Sequence, residues 1–577
     1  MSARRTTRAS RRAAARAHTH APATVPKRTF LRALITAMQR RPWAFALGLG
    51  VLHLLLALLS FLPTPHTGGD NAAYIALGRS LLERRAYLEI YDPAEPPHTQ
   101  YPPGFPGLLA VALLLGLRPW VQLKLVIAFS AAVGVALTFL WVRRRRRPLQ
   151  ALGLATLLAV SPGLLELGHW ILSDVPFWTF TVLAVWAFER LRPGDRARLA
   201  VAVLATTLAY FTRSAGLPLV MAAFAWLALR RRWTQLGVLA AVILPLAFLW
   251  WLRARGQGGV DYVSQFWMVD PYDPARGRIA PLDLFARAGE NIAKYVRIHL
   301  PILLSGTANA ATMVLGLLVL ALGGYGWAAR MRRPGVAELF LPLYLGLLCV
   351  WPSVWSGERF LLPALPLLLL FAGDGLVRLA RWARPRAALA TATVVTVALF
   401  AVAVPGLSSQ VATGTFCTGL YRAGDPFPCL TPQWRDYFDV ATWAKTTLPE
   451  EGVVVTRKPR LWYGLSERRA RIYPFTENAD SLLAAADRAG ARYLVVDYVD
   501  ALTQIYVVPA LLRRTAGFCL MHATDGGTAV LGIRPEAKDL PDAEPVGGGT
   551  GFPVCPDEYW RNPADREAAI QRLGVPR

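Results

Sequence analysis

Residues 104–117 read GFPGLLAVALLLGL, apolar throughout and entered through Pro102, Pro103 and Pro106. How this stretch is read fixes the sidedness of everything after it. A helix that crosses a bilayer needs about 20 predominantly apolar residues, and only 14 are present here. If the stretch crossed, Arg143–Arg147 would fall outside and every later basic cluster would be reversed, against the preference of Lys and Arg for the cytoplasmic side. The sequence therefore predicts a helix lying in the outer interface.

Working outward, segments apolar enough to cross lie at roughly 43–63, 120–142, 149–166, 172–189, 198–212, 214–229, 234–252, 308–329, 337–352, 358–377 and 387–405. The expected fold is a polytopic α-helical membrane protein with about 11 transmembrane helices, its N-terminus inside and its C-terminus outside. Composition agrees, because 54% of the 577 residues are hydrophobic and 17% charged, whereas soluble proteins carry about a quarter charged residues. The net charge of +26 resides in short arginine clusters between apolar runs, which act as topology signals rather than as a nucleic-acid groove. A soluble, disordered or nucleic-acid-binding protein is excluded. Three regions are expected: a basic cytoplasmic tail over 1–42, a transmembrane domain over 43–405 and an extracytoplasmic domain over 406–577. The transmembrane domain includes an outer loop with interfacial helices at 64–118 and a second outer loop at 253–307. That second loop runs against the charge rule, since it holds Arg253, Arg255, Arg276, Arg278, Arg287, Lys294 and Arg297.

Beyond 406 the apolar runs shorten. Residues 452–458, 493–499 and 529–533 read as strands, and 435–447, 480–489 and 501–514 as helices, giving a small α/β domain with a linker at Gly547–Gly551. Four of the five cysteines, Cys417, Cys429, Cys519 and Cys555, fall in this outer region. Two disulfides are expected, most simply Cys417–Cys429 and Cys519–Cys555, with three connectivities open.

Ionisable groups at a membrane face are costly unless paired or used. Four such places stand out, all predicted at the outer face. Asp70 follows two glycines after the first span, with Tyr74 one helical turn on; capping the helix would explain the aspartate equally well. Tyr101-Pro102-Pro103 precedes the interfacial helix. Ser173-Asp174-Val175-Pro176 opens a span, with His169 just before it and Arg213 at the outer end of the next. Glu358-Arg359-Phe360-Leu361-Leu362-Pro363 opens a late one.

These residues, in this order, resemble the GT-C superfamily of membrane glycosyltransferases, and within it the protein O-mannosyltransferase, aminoarabinose-transferase and Rgt-like branch. The resemblance covers roughly 43–380 and departs at Asn71, where many relatives carry a second acid. It implies transfer of one sugar, with inversion, from a polyprenyl-phosphate donor to an acceptor hydroxyl of a cell-envelope lipid, glycan or protein. Asp70 is then the candidate general base and Asp174 a partner that orients the acceptor or helps a metal. Arg359, Arg213 and His169 are candidates for the donor phosphate, and Tyr74, Tyr101, Pro103 and Glu358 for lining the substrate. No cofactor is firmly implied; a divalent metal could gather His66, Glu95 and His98 around Asp70, although their spacing matches no strong ligand pattern. Aromatic and acidic residues of the second loop (Asp261, Tyr262, Trp267, Asp270, Tyr272 and Asp273) could contact a sugar. Expected partners are the lipid-linked donor, the acceptor and membrane lipids, with no nucleic acid, in the plasma (inner) membrane. A transporter or lipid flippase is the alternative; it should show internal repeats and charges near the midplane, and the sequence has no repeat.

Overall fold

The interior of the membrane region is set by two helices that the others surround. In the computed structural model, which describes residues 27–118, 120–257, 262–272, 276–383, 388–542 and 552–573, these are Trp120–Arg145 and the run Glu358–Ala383, 61% and 83% buried over their apolar windows. Trp233–Ala254 and the segment Thr393–Arg422 are only 11% buried and present apolar surface outward, the pattern of helices that face lipid. Six helices among the described residues are long and apolar enough to cross a membrane: these four, Pro42–Leu59 and Ala310–Ala328. The remaining predicted spans are also helical but shorter, for example Pro148–Ala159, Asp174–Arg190 and Val336–Val350. The protein is thus a mostly helical multi-pass membrane protein with a small C-terminal α/β domain.

Local sequence explains several boundaries. Proline occupies the first turn of Pro42–Leu59, Pro148–Ala159 and Pro432–Thr447, where its missing N–H costs nothing. Asn309 and Thr312 form a reciprocal capping box that opens Ala310–Ala328. That helix crosses Leu365–Ala383 at glycines: a Cβ on Gly326 would lie 2.0 Å from the Phe371 carbonyl oxygen, and one on Gly375 2.1 Å from that of Leu322. Small residues at such crossings let backbones meet where lipid supplies no hydrophobic drive. The stretch 104–117 forms Gly104–Leu114, too short to span.

The bundle has two electrostatic poles. Helix Asp174–Arg190 starts beside Arg213 and ends at Glu189, which pairs with Arg145, and its 17 residues rise about 25 Å. Arg145 also pairs with Glu338, Asp374 takes Arg146 and Arg330, and Arg232 donates to the Leu191 carbonyl. The arginine clusters of 143–147, 230–232 and 330 therefore gather at one pole. At the other, Arg253 donates to the carbonyls of His98 and Tyr87 at 2.6 and 2.8 Å, and Arg287 to those of Phe266 and Met268. Two basic residues that ran against the charge rule are thus structural ties.

The last long helix, Ala388–Arg422, runs through residue 406, so the boundary read there falls inside it. The α/β fold follows as a five-stranded sheet of order β2-β1-β3-β5-β4, from β1 Val453–Val455, β2 Ala470–Arg471, β3 Ala491–Val496, β4 Phe518–Ala523 and β5 Ala529–Ile533. β1 lies parallel to β2 and β3, while β5 runs antiparallel to β3 and β4. Tyr437, Trp462 and Tyr493 fill its core. The cysteines pair Cys417–Cys429 and Cys519–Cys555. The linker expected at Gly547–Gly551 and most of the 1–42 tail lie outside the described residues.

This domain docks onto the first loop. Arg471 donates to Asp92 at 3.0 Å, Arg469 pairs with Glu95, and the Ala470 N–H donates to the Tyr91 carbonyl at 2.8 Å.

Candidate active site

Asp70 stands in the first turn of helix Gly69–Glu83, where the helix dipole favours a negative charge. It does not cap that helix; Gly68 does. Its carboxylate instead accepts the Tyr101 hydroxyl at 2.9 Å and faces the Arg359 guanidinium at 3.5 Å and that of Arg460 at 4.0 Å. Tyr101 is held in turn by His98, whose Nε2 accepts the Tyr101 N–H at 2.8 Å while Nδ1 donates to Glu89 at 2.7 Å. One turn along from Asp70, Tyr74 packs against the rings of Tyr101 and Phe105, each 4.8 Å away. Its hydroxyl reaches Ser173 Oγ at 3.1 Å.

Ser173 precedes helix Asp174–Arg190 but makes no capping bond. Its hydroxyl is therefore available to accept from Arg213 at 3.0 Å. Arg213 terminates helix Arg196–Thr212 in an extended conformation and bonds Asp174 at 3.0 Å. The missing side chain of Gly104 brings helix Gly104–Leu114 against this turn, since a Cβ there would lie 2.6 Å from the Phe211 carbonyl. Arg213 and Arg359 then flank one aromatic ring, Phe360, at 4.8 and 4.7 Å from its centroid. Arg460, Asp70, Arg359, Arg213 and Asp174 thus form one cluster, in which the two carboxylates are set among three guanidinium groups, Arg359 and Arg213 standing next to each other.

The two ion pairs differ in character. The side chains of Asp174 and Arg213 are 3% and 20% exposed, whereas those of Asp70 and Arg359 are 37% and 25% exposed and more loosely spaced. The first is a closed structural pair with one Asp174 oxygen buried and unpartnered. The second is partly open to its surroundings. Burial pushes the Asp70 carboxyl up, but Arg359, Arg460 and the Tyr101 hydrogen bond together outweigh it and hold the group below the usual carboxylate range. Burial raises Tyr74 to about 12 and Tyr101 well above its ordinary value, so both phenols remain hydrogen-bond donors at neutral pH.

Of the residues predicted for the site, Asp70, Tyr74, Tyr101, Asp174, Arg213 and Arg359 come together. Pro103 sits at the N-cap of Gly104–Leu114, behind Tyr101. Glu358 turns to His299 at 3.4 Å. His169 is not brought to the cluster: its Nε2 bonds the Ala57 carbonyl at 2.9 Å and its ring packs on Phe61. The weak metal candidates also separate. His66 accepts the Gly68 N–H and lies on Trp170, Glu95 pairs with Arg84 and Arg469, and His98 is held between Glu89 and Tyr101. No three His, Cys, Asp or Glu side chains among the described residues could hold a metal ion, so these residues do not fit one. In the second loop, Tyr262 and Tyr272 pack on Trp351 and Trp355 and Trp267 on Phe266; Asp261 and Asp273 lie outside the described residues.

Arg460 escaped the sequence reading. It opens helix Pro459–Ser466 of the C-terminal domain and bonds Tyr101 and Tyr91 at 3.4 and 3.3 Å. The only clue was the run Arg457-Lys458-Pro459-Arg460, basic beside a proline-started helix.

No protein-family model and no curated protein sequence matches the chain. Solved structures do. ArnT from Cupriavidus metallidurans bound to undecaprenyl phosphate matches with a TM-score of 0.51 at 14% identity, over 86% of this chain and 99% of that one. The apo oligosaccharyltransferase of Archaeoglobus fulgidus matches with a TM-score of 0.52 at 14% identity, over 84% and 74%. The chain has the fold of the GT-C membrane glycosyltransferases.

Proposed function

We propose that this chain of GT-C fold is a glycosyltransferase that moves a single sugar from a polyprenyl-phosphate donor to an acceptor hydroxyl at the pole holding Asp70. The observation that carries the reading is the Asp70–Arg359 pair, a carboxylate and a guanidinium 3.5 Å apart and both partly exposed. Sugar transfer with inversion breaks the bond from the anomeric carbon to the phosphate oxygen and forms one to the acceptor oxygen. The acceptor must lose its proton, which Asp70 takes. The phosphate leaves with added negative charge, which Arg359 receives through paired N–H donors. Arg213, fixed by Asp174 and Ser173, supports that charge from the far side of Phe360.

The same pair accounts for timing. Arg359 holds Asp70 acidic and therefore weakly basic. A donor phosphate on Arg359 offsets that field and makes Asp70 a better base only when donor is bound. That the ArnT structure contains undecaprenyl phosphate supports a polyprenyl-phosphate carrier here.

Purified protein incubated with a panel of polyprenyl-phosphate sugars and an acceptor extract should release free lipid phosphate with one of them. Absence of release across mannosyl, glucosyl, galactosyl and aminoarabinosyl donors would count against the reading. For sidedness, we place the arginine-rich pole in the cytoplasm. In a Cys349→Ser background, cysteine at 538 should react with an impermeant maleimide in intact cells and cysteine at 147 should not; the reverse pattern inverts the topology.

A further inference from the structure

The pole opposite Asp70 holds a second charged feature. Arg145 is neutralised there by Glu189 and Glu338, while Asp374 takes both Arg146 and Arg330. Beside these pairs opens a cavity of about 700 Å³, bordered by Arg144, Arg147, Arg378 and Arg381. Among the described residues, none of these four is in an ion pair with a carboxylate. Asp374 is the single acid in the cavity wall, and it is already shared between two arginines.

Four like charges around one concavity repel one another unless an anion joins them. Guanidinium groups bind phosphate oxygens through paired N–H donors, which makes phosphate the anion that this lining fits best. The surroundings say how the phosphate arrives. Trp382, one residue beyond Arg381, is 85% exposed, and Leu379 is 47% exposed. An indole and an apolar side chain left outside at the end of a long apolar helix belong at headgroup depth. The cavity also lies where helices Trp120–Arg145 and Leu365–Ala383 end. Arginines gathered at a helix end attract acidic lipids of the adjoining leaflet.

We propose that this basin is a binding site for the phosphate headgroup of an anionic glycerophospholipid. Headgroup oxygens would replace the missing carboxylates and tie the two helix ends together.

The test uses the full-length protein in nanodiscs of phosphatidylcholine with a minor fraction of phosphatidylglycerol, followed by native mass spectrometry of retained lipid. Wild-type protein should retain phosphatidylglycerol over phosphatidylcholine. Arg378→Gln/Arg381→Gln should weaken that retention by about 25-fold, each arginine contributing roughly fivefold. A second variant, Arg230→Gln/Arg231→Gln, removes the same charge elsewhere at this pole and should retain the lipid like wild type. Unchanged retention in the first variant, equal loss in the control, or no preference over phosphatidylcholine would each overturn the proposal. So would full competition by millimolar sn-glycerol 3-phosphate, which would assign the basin to a soluble phosphate compound.

Discussion

The carboxylate of Asp70 and the guanidinium of Arg359, both partly exposed, face each other at 3.5 Å, although 289 residues separate them in the chain. One comes from the first turn of helix Gly69–Glu83 and the other from the start of the late helical run Glu358–Ala383. Their meeting turns two isolated sequence features into one candidate centre.

Asp70→Asn keeps the shape and removes the base. Turnover in reconstituted membranes should fall by about 10²- to 10⁴-fold with expression unchanged. Arg359→Gln should act on the donor, weakening its use by about ten- to a hundredfold, as expected for a lost charge-assisted bond to phosphate. A donor titration separates the two, and an unaltered donor dependence in Arg359→Gln rejects its assignment.

Arg460 predicts a pH effect. Because cations hold Asp70 below the usual carboxylate range, the acid limb of kcat/KM should lie low, with activity present above it. Removing one cation raises the carboxyl, so Arg460→Gln should move that limb to higher pH while leaving the plateau reachable. A limb that stays in place would mean that Asp70 does not set it.

The Asp174–Arg213 pair is buried, and breaking it leaves a charge uncompensated. Asp174→Asn should therefore lower stability by about 3–5 kcal/mol. The double variant Asp174→Asn/Arg213→Gln should melt above the single one, because the stranded cation is gone. Independent side chains would instead give additive losses, with the double variant melting below both single ones.

In the C-terminal domain, burial raises Asp497 to about 6, and one of its carboxylate oxygens has no partner. The folded state therefore binds a proton more readily than the unfolded one, and stability should rise as pH falls through about 6. Asp497→Asn should raise the melting temperature at pH 7.5, by about 1–3 kcal/mol in free energy. The advantage over wild type should shrink towards pH 5, and a constant difference across this range would reject burial of the charge as its cause.

Much of this was legible beforehand, for physical reasons. A bilayer admits so few charges that Asp70, Asp174, Arg213 and Arg359 stood out against apolar runs, and the runs themselves announced the helices. His169 stood out by the same logic, yet its imidazole satisfies a backbone carbonyl inside the bundle, a role that sequence does not distinguish from function. β2, with two residues, and β4, whose FCLMHA mixes both faces, carry too little periodicity to be read. Arg460 was hidden because it is one arginine among many in a water-facing domain. Only the docking of that domain, through Arg471 and Asp92, gives it meaning.

That docking has a bearing on how the protein is made. Arg460 contacts Tyr101 across 359 residues of chain, so the centre is unfinished while the ribosome is still building the last third. The cluster around Asp70 is complete only once the C-terminal domain has been made and has docked. A chain ending before Pro459 would leave Asp70 to Tyr101 and Arg359, without its third polar partner.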